Sequence, residues 1–339
     1  GPDVISYTGM ISSCAKNGQA AEAARWLQEM LGKRIRPDTV AYTAVVGAYA
    51  IKGDTKGAVH WLERMVRSCL QPDHVAYSAV IGSFAKRGKT PEAAKWLAAM
   101  MNACLTPGVV AFSAVIGSCA KRGDISGAVR WLHEMMQAKL QPDQISCTAV
   151  ISSCAKKGDA AQAMHWHDEM VRLSVSRNTI SYTAVISSFS KQSNVAQATA
   201  LFDEMRNLCF TPDAVTYSAV MGAHARVGNI EGAQRVVEDM IAAGCLPNVV
   251  TWTSLIAACA ASHMRRRREA EEFFRQMVRS GVMPNQATLA ALDRAAGRAR
   301  CAKLCQELGI SVRSQGGTSR GEKWGHAESV KGVHADKLQ

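Results

Sequence analysis

Tryptophan recurs at a fixed interval along this chain: Trp26, Trp61, Trp96, Trp131 and Trp166 are each 35 residues apart. Met30, Met65, Met100, Met135, Met170, Met205 and Met240 keep the same interval, and Pro37-Asp38, Pro72-Asp73 and Pro142-Asp143 hold the same register. A period of this length means one supersecondary unit stacked on copies of itself, since a single unit cannot bury its own apolar face. Counting from Val4, seven units run to Asn248 without an insertion. An eighth spans Val249 to Asn285 with two extra residues, and a ninth begins at Gln286 and decays.

Each unit carries two helical signatures. The first places apolar residues at i, i+3, i+4 and i+7, as in Tyr42, Val45, Val46 and Tyr49, or Phe112, Val115, Ile116 and Cys119. The second repeats that stripe, as in Ala58, Trp61, Leu62 and Met65, or Ala270, Phe273, Phe274 and Met277. Gly18, Gly53, Gly88, Gly123, Gly158 and Gly228 lie between them, where a left-handed residue ends a helix. Asp54, Asp124, Asp159 and Asn229 follow directly as N-caps. The expected fold is all-α: a right-handed α-solenoid of helix–turn–helix units, with the tryptophans and Cys14, Cys119, Cys154 and Cys259 as core fillers. Residues 1–3 read as the end of a preceding unit or the chain start, 4–285 as eight units, 286–310 as a partial, capping unit, and 311–339 as a flexible basic tail.

Composition sets the remaining bounds. No run of about 18 apolar residues occurs, so no membrane span is expected. The net charge is +12, of which the last 29 residues contribute only +2, so the repeats themselves favour a polyanionic partner. Eleven cysteines without a secretory signal or a Cys-x-x-Cys pair fit reduced thiols; Cys301 and Cys305 lie one helical turn apart but no second ligand pair follows, and His165 and His167, two apart, diverge on a helix. The chain opens Gly1-Pro2-Asp3 without methionine, as expected of a fragment or processed form whose targeting peptide lies elsewhere. His326 and Glu328 mimic the start of a zinc deaminase signature, but no Pro-Cys-x-x-Cys follows. No nuclease, hydrolase or phosphate-loop constellation occurs, and the chain is expected to be a non-enzyme without cofactor or small-molecule substrate.

A 35-residue unit reading V-x-Y-T/S-x-x-I, K-x-G, A-x-x-W/L-x-x-E-M and P-D resembles the pentatricopeptide repeat, as in Val40 to Val46 and Pro72-Asp73. The tetratricopeptide pattern, with a 34-residue period, does not match. Uniform unit length resembles the pure class of the family, not the mixed-length class that edits RNA. The resemblance implies single-stranded RNA binding, one nucleotide per repeat, with the RNA 5′ end at the N-terminal units. It further implies that the fifth and last residues of each unit select the base.

The fifth residues are Thr8, Thr43, Ser78, Ser113, Thr148, Thr183, Ser218 and Thr253, all hydroxyl-bearing. Ser/Thr near a helix start is also a common N-cap, yet Asp and Asn are absent from all eight positions. In the family a hydroxyl here goes with purines. The last residues are Asp38, Asp73, Gly108, Asp143, Asn178, Asp213, Asn248 and Asn285. Asp only accepts hydrogen bonds, which suits guanine's N1–H and N2–H₂, whereas Asn offers donors and an acceptor, which suits adenine. Turn formation after proline is the competing reason for Asp/Asn there. In order, the pairs imply guanine, guanine, an open third base at Gly108, guanine, adenine, guanine, adenine, adenine.

Three residues before each selecting hydroxyl stand Ile5, Val40, Val75, Val110, Ile145, Ile180, Val215 and Val250. The family uses that position to wedge bases between repeats, and a stiff branched side chain suits it. Lys16, Lys86, Lys121, Lys156, Lys191 and Arg226, with Lys52 shifted by one, recur near the end of the first helix. A cation there suits the helix C-terminus and, in the family, faces phosphate. Units five and six depart from the pattern at Cys147, Arg177 and Ser193, and the eighth carries Arg265 to Arg268, read as a solvated inter-helix turn or an extra phosphate contact. The implied setting is a mitochondrion or chloroplast, where the chain acts in transcript stabilisation, processing, splicing or translation. The alternatives are a structural subunit of an organellar ribonucleoprotein, such as a mitochondrial ribosome, and a peptide-binding scaffold.

Overall fold

A computed structural model describes residues 3–262 and 266–310; the tail from Ser311 and the first residue of the arginine run, Arg265, lie outside them. Eighteen helices and no strands occur among the described residues. They alternate as first and second helices of a unit: α1 (Val4–Lys16), α2 (Ala20–Gly32), α3 (Thr39–Lys52), α4 (Thr55–Arg67), α5 (His74–Lys86), α6 (Thr90–Asn102), α7 (Val109–Arg122) and α8 (Ile125–Gln137). Then follow α9 (Gln144–Lys157), α10 (Ala160–Arg172), α11 (Thr179–Lys191), α12 (Val195–Asn207), α13 (Ala214–Val227), α14 (Ile230–Ala242), α15 (Val249–Ala261) and α16 (Arg267–Arg279). The last two are α17 (Gln286–Ala296) and α18 (Arg298–Glu307).

Each odd helix up to α15 packs on its own even partner and on the next odd helix, while each even helix up to α16 packs mainly on its partner and the following odd helix. The odd helices therefore form one continuous row, the inner layer of an α-solenoid. Between the layers lie Tyr7, Tyr42, Phe112, Tyr182 and Tyr217 with Leu27, Leu62, Met30 and Met65, all essentially inaccessible. Each such side chain contributes about 1.5–3 kcal/mol through burial.

The tryptophans fill this layer only in part. Trp61 and Trp166 are buried, but Trp26, Trp96 and Trp131 are half-exposed at its outer margin. Their inner edges meet Tyr7, Tyr77 and Phe112 at ring separations of 6.2, 6.3 and 6.5 Å. On the half-exposed rings of Trp26 and Trp131 lie Arg25 and Arg130, at 5.7 and 5.1 Å from the ring centres. Cys119, Cys154 and Cys259 are buried and Cys14 half-buried, whereas Cys69, Cys104 and Cys209 are exposed.

The turns follow the sequence signals. Gly18, Gly53, Gly88, Gly123, Gly158 and Gly228 all have φ between 68° and 79°, and Ser193 takes the same left-handed conformation at φ 59°. Asp54, Asp124, Asp159 and Asn229 cap the second helices by accepting from Gly57, Gly127, Gln162 and Gly232. The arginine run is not wholly a turn: Arg267 and Arg268 form the first turn of α16. Cations are unfavourable at a helix N-terminus. Here Glu269 and Glu271 pair with Arg266 and Arg267. Glu271 is buried and also binds Arg300 of α18 at 2.7 Å, which holds its carboxyl down at about 2.

Candidate nucleic-acid interface

The last residue of one unit is the N-cap of the next unit's first helix. Asp38, Asp73, Asp143, Asn178 and Asp213 each accept, through Oδ1, the backbone N–H three residues on at 2.8 Å. Asn248 and Asn285 do the same at 3.1 and 2.9 Å. Gly108 adopts the same extended conformation but makes no side-chain cap for α7. This capping role explains Asp and Asn at the position better than a turn after proline. It also rules out the fifth-residue hydroxyls as N-caps: they lie a full turn inside the helix, as Thr8 does in α1.

The cap divides each of these Asp and Asn side chains into two ends. An N–H must be met by an acceptor, so an Asn here turns its oxygen inward and its amide nitrogen outward. The Oδ2 atoms of Asp38, Asp73, Asp143 and Asp213, and the Nδ2 atoms of Asn178, Asn248 and Asn285, have no hydrogen-bond partner among the described residues. A capped Asp thus presents an acceptor, and a capped Asn presents donors.

The fold brings fifth and last residues of one unit together although 30 residues separate them. Thr8 donates to Asp38 at 3.4 Å, Thr43 to Asp73 at 3.3 Å and Ser113 to Asp143 at 3.2 Å. Ser218 instead donates to the Ala214 carbonyl of its own helix, while Thr183 and Thr253 each lie within hydrogen-bonding reach of both a carbonyl of their own helix, Thr179 or Val249, and a hydroxyl of the next unit, Thr216 or Thr288. Thr148 is buried with its hydroxyl unpartnered, and the last residue of Ser78's unit is Gly108, which has no side chain.

One turn before each pair stands an apolar side chain in water. Ile5 is 80% exposed, Val110 73% and Ile145 68%, and Val40, Val75, Ile180, Val215 and Val250 are all at least 49% exposed. Eight β-branched residues at one helical position, each free to pack inward one residue away, make a regular exposed row with a 35-residue repeat. Isolated exposed apolar residues need no reason, but a contiguous row does.

Towards the C-terminal end of the same helices the cations form a ladder. Lys121 donates to the Lys86 carbonyl at 2.8 Å, Lys156 to that of Lys121 at 2.7 Å, and Lys191 to those of Ala155 and Lys156 at 2.7 and 2.9 Å. Arg226 reaches the Ser190 carbonyl at 3.0 Å. Each cation closes the C-terminal pole of the preceding unit's helix, a favourable charge–dipole contact. Lys16, Lys52 and Lys86 donate to no group among the described residues. The cations lie about 12 Å along the helix from the fifth residue, at a rise of about 1.5 Å per residue.

Between them the sequence patterns gave no warning of a floor of small residues. Gly47, Gly82 and Gly117 sit inside α3, α5 and α7, and a Cβ on any of them would meet nothing within 4 Å. Glycine inside a helix costs about 1 kcal/mol against alanine, and no neighbour in the protein requires it here. The only signal was glycine in a helical pattern at 35-residue spacing.

Comparison with known proteins follows the same units. The model for the pentacotripeptide-repeat region of PRORP matches residues 108–267, that for the PPR repeat family matches 2–50 and 37–86, and that for the PPR repeat matches 75–105. No curated protein matches the sequence significantly. Among solved structures, the pentatricopeptide repeat protein PPR10 from maize is 19% identical over 93% of this chain and 54% of its own length, with a TM-score of 0.54. PPR10 in complex with an 18-nt psaJ RNA element is 25% identical over 91% of this chain and 44% of its own, at 0.44. Nuclear proteinaceous RNase P 2 from A. thaliana is 18% identical over 54% of this chain and 40% of its own, at 0.46. The chain thus spans about half the length of the maize protein it matches. Repeat-family models covering residues 2–267 and an 18-helix solenoid with a 35-residue period make this chain a member of the pentatricopeptide repeat family.

Proposed function

We propose that the chain binds single-stranded RNA without catalysis, one nucleotide per repeat, with the 5′ end at the N-terminal units. The observation that carries this is the exposed row of eight β-branched residues, seven of them one turn from a pair of polar side chains and Val75 one turn from Ser78 alone. Apolar wedges with polar groups between them suit stacked bases whose edges are read in turn, and a peptide ligand would have no use for a selector at every 35th residue. The outward Oδ2 of Asp38, Asp73, Asp143 and Asp213 suits guanine's donors; the outward Nδ2 of Asn178, Asn248 and Asn285 suits adenine's N1 acceptor. The preferred tract is 5′-guanine-guanine-any-guanine-adenine-guanine-adenine-adenine-3′, with the third base open because Gly108 has nothing to read with. Lys16, Lys52 and Lys86 supply phosphate contacts with uncommitted ammonium groups, and the laddered cations keep donors to spare. Membership of the family supports a mitochondrial or chloroplast setting, in which a bound tract is shielded from nucleases or its local structure is remodelled.

Competition binding with unstructured oligonucleotides tests this. The purine tract is expected to bind more tightly than its pyrimidine counterpart. If six to eight phosphates are neutralised, log affinity against log salt has a slope of about −4 to −6. A slope near zero contradicts RNA binding. Equal affinity for purines and pyrimidines leaves the solenoid as an unselective scaffold.

A further inference from the structure

The third residue of each unit changes along the array, and with it the bonding around the last residue of the unit before. It is Ala41, Ala76 or Ala111 after the first three pairs, Ser146 or Ser181 after the next two, and Thr216, Thr251 or Thr288 after the last three. All eight are fully inaccessible, so none touches a ligand. Where alanine stands, the fifth hydroxyl donates directly to the Asp, at 3.4 and 3.3 Å in the first two pairs, and Ser113 still does so to Asp143 at 3.2 Å ahead of Ser146. Where serine stands, its hydroxyl turns to the N-cap backbone, donating to the carbonyls of Asp143 and Asn178.

Threonine does something different. Thr216 donates to Asp213 Oδ1 at 2.8 Å and Thr288 to Asn285 Oδ1 at 2.9 Å. Each also lies against the fifth hydroxyl of the preceding unit, Thr216 at 2.6 Å from Thr183 and Thr288 at 2.7 Å from Thr253. A carboxylate or amide oxygen only accepts, so the threonine proton goes there. With that proton committed, the contact at 2.6 or 2.7 Å is a hydrogen bond only when the fifth hydroxyl donates to the threonine oxygen rather than to the carbonyl one turn back, so towards any further group it can only accept. Each hydroxyl has one proton, and the network fixes where both go.

We propose that Thr216 and Thr288 are positioning residues for base selection. Each is buried behind a selector pair, locks the rotamer of the last residue, and sets the fifth hydroxyl as a fixed acceptor. Asp213 with Thr183 then offers two acceptors, and Asn285 with Thr253 offers one acceptor and one donor. Thr251 makes an incomplete version: it reaches Asn248 Oδ1 at 3.3 Å, but Ser218 bonds to the Ala214 carbonyl instead. The proposal rests on the RNA-reading function above.

The test uses the full chain and the purine tract with single-base changes in competition binding. Thr216→Val keeps the branched shape and removes the hydroxyl. It is expected to reduce guanine-over-adenine preference at the sixth base roughly three- to tenfold, the worth of one hydrogen bond, while preferences elsewhere and the salt slope stay unchanged. Thr288→Val is expected to act likewise at the eighth base alone, and Thr251→Val to change the seventh by less than about twofold. Unchanged discrimination in Thr216→Val and Thr288→Val overturns the proposal while leaving RNA reading intact. So does an equal loss at every base accompanied by a lower melting temperature, which marks a purely structural role. If the unaltered protein binds RNA but discriminates nowhere, base reading itself has failed.

Discussion

His167 stands where the preceding units carry Leu27, Leu62, Leu97 and Leu132. It is fully buried, both ring nitrogens lack partners, and its ring lies 4.5 Å from that of Tyr182. Burial first, and the Arg177 guanidinium second, push its pKa down from 6.5 to about 3. The folded protein therefore holds it neutral, while the unfolded chain takes up a proton below about pH 6.5. Its contribution to stability is complete above pH 6.5 and is lost as the pH falls from there towards 3. His167→Leu is expected to raise stability at neutral pH by about 1–3 kcal/mol, the cost of buried polar groups without partners, and to flatten the fall in denaturation midpoint between pH 6.5 and 5. Nothing in the periodicity distinguished this histidine from a partnered one; its full burial with both nitrogens unpartnered did.

At the scale of the helix, the second helices end in a conformation the residue types do not advertise. Arg34, Cys69, Cys104, Lys139, Ser174 and Cys209 all have φ between 56° and 60°, where the seventh and eighth units place Gly244 and Gly281. Each closes a left-handed cap, as when Arg34 N–H bonds the Leu31 carbonyl and Ile35 N–H the Met30 carbonyl. A side chain there costs about 1–2 kcal/mol, and glycine gives back part of that in unfolded-chain entropy. Lys139→Gly and Cys104→Gly are each expected to stabilise by about 0.5–1 kcal/mol, seen as a higher denaturation midpoint with an unchanged slope. The inter-helix caps were legible because glycine marks them in six units. The second set was not, since packing of the next unit imposes the turn on residues with no preference for it. In the same way the exposed apolar row and the polar fifth and last residues were visible as residue types at fixed spacing. That the last residue caps a helix, and so shows only one end of its side chain, required the three-dimensional placement of the N–H it meets.

Across the whole molecule, stability in a repeat array is a sum over units and the contacts between neighbours, and the cation ladder is one such contact. Lys86 accepts through its carbonyl but its ammonium is unengaged, whereas Lys156 ties α9 to α7. Lys86→Ala is expected to weaken all RNAs alike with no change in melting temperature. Lys156→Ala is expected to weaken them and also to lower stability by about 0.3–1 kcal/mol, measured by thermal melting alongside binding. A change of base preference in either variant places the lysines on the wrong surface, because phosphate contacts carry no sequence information. The central claim is that the array reads bases through its paired fifth and last residues, and Asp143→Asn tests it most directly. The substitution keeps the N-cap on α9, since an amide oxygen still accepts from Ser146, and replaces only the outward acceptor by donors. The account predicts that preference at the fourth base moves from guanine to adenine in competition binding, by an amount on the order of 1–3 kcal/mol, with the other bases unaffected. An unchanged preference for guanine at that base, with RNA still bound, contradicts it.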